Sequence, residues 1–354
     1  MMLSHAEGVH HPPRIRRAAR LTGAVLLASA LAAPSASAAP RATAEPAPAT
    51  PTGIEAPTSP GGVPAGPQGP EFRTFVGARA FSGMHWGATP YGANDFSCRP
   101  AAGRSPIVLV PGTGEDAFAT WSFYSPQLAS LGYCVYTLNY NPSVDMLGKT
   151  NDDQPFSGEI RASAAYLAGF VDRVRAATGA DKVTLIGHSQ GGGPLPRAYL
   201  KWYGGDKAVD HLIGLVPSNH GTSMYGISTM YAQLGLGARG AIGDMAVRLN
   251  EESLAEQLIG SPLNVALGEG GDTVQGVRYT VITTRFDQVV MPFSNAYLEG
   301  AQVKNVLIQN TCPLDTYTHL NFTYDTAAFQ VVRNALDPEH AKPVNCAWIP
   351  PRQA

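Results

Sequence analysis

The chain has 354 residues, 44% hydrophobic and 15% charged, with a formal net charge of −2. Hydrophobic content at this level supports a sizeable core, and the near-neutral balance excludes a strongly basic chain built for nucleic acid or an anionic membrane. Residues 1–38 carry four Arg and one Glu, +3, which leaves −5 on the remainder of the total of −2.

The first stretch reads as a targeting segment. Arg14, Arg16, Arg17 and Arg20 form a positive region, Leu21 to Ala33 an apolar run too short to span a bilayer, and Ala36-Ser37-Ala38 a small-residue cleavage site. A signal peptide over 1–38 is expected, with the mature protein extracellular and without an integral membrane segment. Arg16-Arg17 does not separate twin-arginine export from the ordinary route. Export makes the even set Cys98, Cys134, Cys312 and Cys346 read as two disulfides. Of the three connectivities open to four cysteines, proximity in sequence favours Cys98–Cys134 with Cys312–Cys346. No cysteine or histidine cluster has metal-ligand spacing, so no metal or other cofactor is expected.

Residues 39–70, rich in Pro, Ala, Thr and Gly, read as a disordered linker unable to bury enough surface to offset its entropy. The folded domain is expected over 71–354. Pro106–Val110 reads as a buried strand, followed by the loop Pro111-Gly112-Thr113-Gly114, a helix over 119–131 and a strand over 133–138. A helix over 158–178 presents Ile160, Ala164, Leu167, Val171 and Val174 on one face. The apolar run Val183-Thr-Leu-Ile186 then ends in Gly187-His188-Ser189-Gln190-Gly191.

That last stretch fits G-x-S-x-G. The motif alone is weak in a Gly-rich chain; a strand before it and a helix after it make it strong, because the sharp turn lifts a serine hydroxyl above the sheet end, the nucleophile elbow of α/β-hydrolases. Pro194 and Pro196 imply a distorted first turn in the helix that follows, or a regular part starting near Pro196. Strands are expected at 211–216, 279–284 and 303–309, a helical cap or lid over about 221–268, and a closing helix over 325–335. Strands alternating with helices predict an α/β fold, a mostly parallel sheet with helices on both faces.

A serine needs a base, and the base needs a group that fixes its tautomer. Asp287 and His319 follow the last two strands, at the carboxyl ends where open α/β sheets bind ligands, and give the chain order Ser189, Asp287, His319. Asp315 is a competing acid but lies too close in sequence to His319. His188 sits inside the elbow, with its ring expected to pack beside the strand, and His220 comes too early. The amide of Gln190 and that of Thr113, in the loop after the first main strand, are the expected oxyanion donors.

The stretches Leu109–Gly114, Leu131–Cys134, Ser189–Gly192, Asn219–Thr222, Asp287–Val290 and Lys304–Val306 together resemble the class 2 family of secreted lipases from about residue 98 onward. The resemblance implies an α/β-hydrolase fold and a cofactor-free Ser189–Asp287–His319 triad cleaving carboxylic esters of lipids. It also implies Thr113 and Gln190 in the oxyanion hole and an early disulfide at Cys98–Cys134. The segment around Cys312 is longer before the histidine than in the yeast-type members. The expectation is a monomeric lipase acting on triacylglycerol or similar long esters, in part at a lipid–water interface. The alternatives are a short-chain esterase or polyester depolymerase with the same triad, and a catalytically dead secreted binding protein.

Overall fold

The computed structural model describes residues 62–64, 66–85, 87–140, 158–233 and 252–347. The expected signal peptide, residues 39–61 and 65 of the expected linker, and residues 234–251 of the expected cap lie outside the described residues.

The fold starts before the expected boundary at residue 71. Strand β1 (Gln68–Gly69) pairs in parallel with β2 (Thr89–Pro90), which follows helix α1 (Phe75–Met84). Gly62 accepts at its carbonyl from Asn139 N at 2.7 Å, and Thr89 Oγ1 donates to Pro64 O at 3.0 Å. A Pro/Gly-rich composition hides this segment because its bonds are made by backbone. At Gly69 no side chain fits, since a Cβ would run into the Phe118 ring.

Six short strands form one parallel sheet: β3 (Ile107–Val110), β4 (Val135–Thr137), β5 (Val183–His188), β6 (Val209–Leu215), β7 (Arg278–Thr283) and β8 (Val303–Leu307), in spatial order β4-β3-β5-β6-β7-β8, with β8 at one edge exposing Lys304 and Asn305. Runs that are apolar at every position suit strands covered on both faces. Alternate residues serve two cores. Ile107 and Leu109 pack with Phe118, Trp121, Tyr124 and Phe329, whereas Val108 and Val110 pack with Leu167, Val171, Val174 and Leu195. Each fully buried aliphatic side chain contributes roughly 1.5–3 kcal/mol. The chain steps outward from β3 to β4 and returns to place β5 on the other side of β3. The carboxyl ends of β3 and β5 therefore flank a switch point, the usual crevice in such sheets.

The single helix expected over 119–131 is two helices, α2 (Ala117–Trp121) and α3 (Tyr124–Ser130). Pro126 is the cause: in one continuous helix it would lack a bonding N–H and clash with the carbonyl of Ser122. Restarting at Tyr124 puts it in the first turn, where its missing donor costs nothing. Helix α4 (Ile160–Thr178) ends on Gly179 at φ 73°. The elbow turns through a 3₁₀ segment, Ser189–Gly192, and α5 (Pro194–Trp202) begins after Gly193. Its start at Pro194, rather than near Pro196, leaves both prolines in the first turn. Short α6 (Gly205–Ala208) leads into β6.

The described parts of the cap are α7 (Met224–Gln233), α8 (Glu252–Glu256) and α9 (Pro262–Gly268). They pack Ile227, Met230 and Leu254 into one core and Leu263 and Leu267 into the other, and the last two helices are also held by polar contacts. Buried Arg197 on α5 donates to Leu267 O at 3.1 Å and Asp272 Oδ1 at 3.0 Å, and Lys201 donates to Leu267 O at 2.7 Å. Glu256 accepts from Ile160 N, at the start of α4, at 2.7 Å. Beyond β8, α10 (Ile308–Thr311) takes the residues expected as the strand's end, and α11 (Thr326–Leu336) closes the fold with Asp325 as its cap. Disulfides join Cys98 to Cys134 and Cys312 to Cys346, with Cα separations of 5.8 and 5.3 Å.

Candidate active site

Ser189 immediately follows β5, with φ 53°, a region that a non-glycine residue enters only at a cost of about 1–3 kcal/mol. The motif glycines allow it. A Cβ on Gly187 would strike the carbonyl of Gly191, and one on Gly191 would strike those of Val110 and Pro111. Strand β5, the turn and the loop after β3 thus touch backbone to backbone. Both motif positions admit no other residue without a shift of main chain.

Asp287 and His319 come together as expected. His319 Nδ1 lies 3.0 Å from both Asp287 oxygens, and both side chains are buried. The carboxylate is itself fixed: Oδ1 accepts from Val289 N at 2.9 Å and Val290 N at 2.8 Å. With the carboxylate on Nδ1, the tautomer that carries its proton there leaves Nε2 as the free base. Nε2 is buried without a hydrogen-bond partner, so no bond to Ser189 Oγ is formed in this structure. Such bonds often tighten only when substrate is bound.

Around the serine, Thr113 Oγ1 donates to Gln190 Oε1 at 2.7 Å. The Thr113 hydroxyl is therefore committed to Gln190, and the oxyanion donor expected of this residue is its amide. Gln190 is the second residue of the 3₁₀ turn, where a backbone N–H has no acceptor within the helix. Gln257, just past α8, adds Nε2 bonds of 2.9 Å to both Thr113 Oγ1 and Gln190 Oε1, and its Oε1 accepts from Ser218 Oγ at 2.7 Å. Sequence reasoning missed Gln257 and Ser218. A single glutamine in an irregular helical stretch carries no motif, so no signal pointed to it.

Other candidates fall elsewhere. Asp315 accepts from Tyr317 N at 3.0 Å and pairs with Asp325. Burial, reinforced by the Asp315 charge, holds the Asp325 carboxyl well above the usual carboxylate range. His220 is half exposed, 3.3 Å from Asp272. His188 is fully buried but does more than pack: Nδ1 is 3.0 Å from Glu115 Oε2, and Nε2 is 3.0 Å from the carbonyl of His319. Among the described residues no group of three or more His, Cys, Asp and Glu could hold a metal ion.

The model of the lipase (class 2) family matches residues 104–332. Lipase B of Pseudozyma antarctica is 26% identical over 243 residues, 67% of this chain and 63% of that protein. A triacylglycerol lipase of Pseudarthrobacter phenanthrenivorans is 41% identical over 97 residues, 26% of this chain and 27% of that protein. These matches span less than two thirds of either relative's own length. Among solved structures, lipase B of Aspergillus fumigatus superposes with a TM-score of 0.53 at 24% identity, over 73% of this chain and 57% of that one. That likeness is one of fold, and it agrees with the parallel sheet, its helical faces and the elbow in identifying an α/β-hydrolase. With the family model covering most of the sheet, the elbow and both partner loops, this chain belongs to the class 2 lipase family.

Proposed function

We propose that the protein is a secreted serine carboxylester hydrolase, a lipase cleaving triacylglycerol or similar long-chain esters through an acyl-enzyme. The observation that carries this reading is His319 held through Nδ1 by both oxygens of buried Asp287, with Nε2 unpartnered, in a chain whose elbow holds Ser189 at φ 53°.

Ser189 Oγ attacks the ester carbonyl carbon while His319 Nε2 takes its proton. The carbonyl oxygen becomes the oxyanion, bound by the amides of Thr113 and Gln190. Collapse expels the alcohol, which receives the proton from His319, and leaves an acyl ester on Ser189. Water then attacks that ester with His319 again as base, releasing the acid and restoring the serine. Loss of one oxyanion donor typically costs about 10²–10³ in rate. The lipase names of the relatives and the ester chemistry of the triad support the substrate class. Export is supported by the basic–apolar–small pattern of residues 1–38 and by two disulfides, which persist in oxidising compartments.

The test is hydrolysis of p-nitrophenyl esters from acetate to palmitate by the protein and by Ser189→Ala. Activity on long chains that vanishes in the variant is the expected result. Activity confined to short soluble esters keeps the mechanism and removes the lipase reading; activity retained by Ser189→Ala removes the mechanism.

A further inference from the structure

We infer that Glu115 and His188 form a buried carboxylate–imidazolium pair that positions the general base, by donating a hydrogen bond from His188 Nε2 to the main-chain carbonyl of His319. This rests on the triad proposed above and adds a second carboxylate–histidine pair that works through the backbone of the first.

The geometry leaves the ring little choice. Nδ1 faces the Glu115 carboxylate at 3.0 Å and Nε2 faces a carbonyl at 3.0 Å. A carbonyl only accepts, so Nε2 must carry a proton. A neutral ring would then turn a lone pair on Nδ1 toward the carboxylate, with no proton between them. A doubly protonated ring beside the Glu115 carboxylate satisfies both partners, as does a neutral ring accepting from a protonated Glu115, and the two differ in the number of protons on the ring. Glu115 is placed to be the counter-charge, since Thr120 Oγ1 also donates to Oε2 at 3.0 Å, and both side chains of the pair are almost fully buried.

The position of the pair gives it leverage. Glu115 is two residues from Thr113, His188 immediately precedes Ser189, and the accepted carbonyl belongs to His319 itself. The three pieces of the site are therefore tied at one ring. Gly112 closes the same knot: a Cβ there would lie 2.8 Å from His188 Nδ1 and 3.2 Å from both Glu115 Oε2 and Ser189 Cβ. The groups that act electrostatically on the ring are Glu115, Asp287 and His319, whose ring centroid is 4.9 Å away. Burial disfavours charge on both members, yet each holds the other ionised: His188 is raised above its ordinary value by Glu115, and Glu115 is lowered by His188.

Two measurements test this. In ring-¹⁵N-labelled full-length protein at pH 8, one slowly exchanging histidine should show both ring N–H groups, and Glu115→Gln should reduce it to one. In ester hydrolysis, Glu115→Gln should lower kcat roughly tenfold at pH 8 with KM unchanged, the loss of a charge-assisted bond. Without its counter-charge buried His188 stays neutral, so the deficit should persist from pH 8 to pH 6, while Glu115→Asp, which keeps the charge, should recover most of it; loss of packing alone would not be recovered. A wild-type ring carrying one proton, or a Glu115→Gln deficit that is absent or not recovered by Glu115→Asp, overturns the inference. If the wild type hydrolyses no ester, the proposed function fails and the labelled ring still decides the pair. If Glu115→Gln does not fold, the wild-type spectrum decides alone.

Discussion

The elbow and the cap meet where Gln257 bonds Gln190 but are held by different physics. The elbow is fixed by backbone against backbone: Gly187, Gly191 and Gly192 bring β5, its turn and the loop after β3 so close that no Cβ fits. The described cap segment from 252 to 272 is fixed by side chains from distant parts of the chain, with Arg197 and Lys201 reaching Leu267 and Asp272, and Glu256 reaching the start of α4. Local sterics leave a mark in the sequence as a spaced glycine pattern. Long-range polar fastening leaves none.

The sharpest way to break this contrast is Gly191→Ala. Its Cβ would collide with the carbonyls of Val110 and Pro111, so we expect a loss of more than about 4 kcal/mol and no activity, by thermal unfolding and assay. Asp287→Asn should leave the melting temperature nearly unchanged and cut kcat about 10⁴-fold, because the amide favours the wrong tautomer of His319. On the cap side, Arg197→Met removes the bonds to Asn219 O and Leu267 O and leaves Asp272 only His220 and Glu299 N as partners, and should cost about 3 kcal/mol in denaturant unfolding. Gln257→Leu removes the bonds to Thr113, Gln190 and Ser218, and a roughly tenfold fall in kcat with little change in melting temperature is expected.

The smallest expected effect is one of pH. Burial pushes the Glu256 carboxyl up to about 7, from an ordinary value of 4.5. A raised acid contributes stability that is fully present below its unfolded value and is lost as pH rises through the folded one. Wild-type stability should therefore decline between about pH 4.5 and pH 7 relative to Glu256→Gln, measured as melting temperature. Parallel curves would contradict this.

The parts of the fold legible from sequence were those with a local cause. Buried strands read as apolar runs, and the elbow read because its glycines are sterically required. Asp287 and His319 read because strand ends are where such side chains gather. The break between α2 and α3 was legible in principle, since Pro126 cannot sit inside a continuous helix. The start of the fold at 62–69 was not, because main-chain bonds to Asn139 and Thr89 have no composition signature. Gln257 and the partnership of Glu115 with His188 were invisible for the same reason as the cap: each joins residues 39 or more positions apart.

The central claim is that Ser189 is a nucleophile activated by His319 and Asp287. Its most direct measurement is covalent labelling of the protein with a p-nitrophenyl alkylphosphonate, followed by peptide mass mapping. The account predicts one adduct per chain on Ser189, absent in Ser189→Ala and formed far more slowly in Asp287→Asn. A folded protein that takes no label, or takes it on another residue, would contradict it.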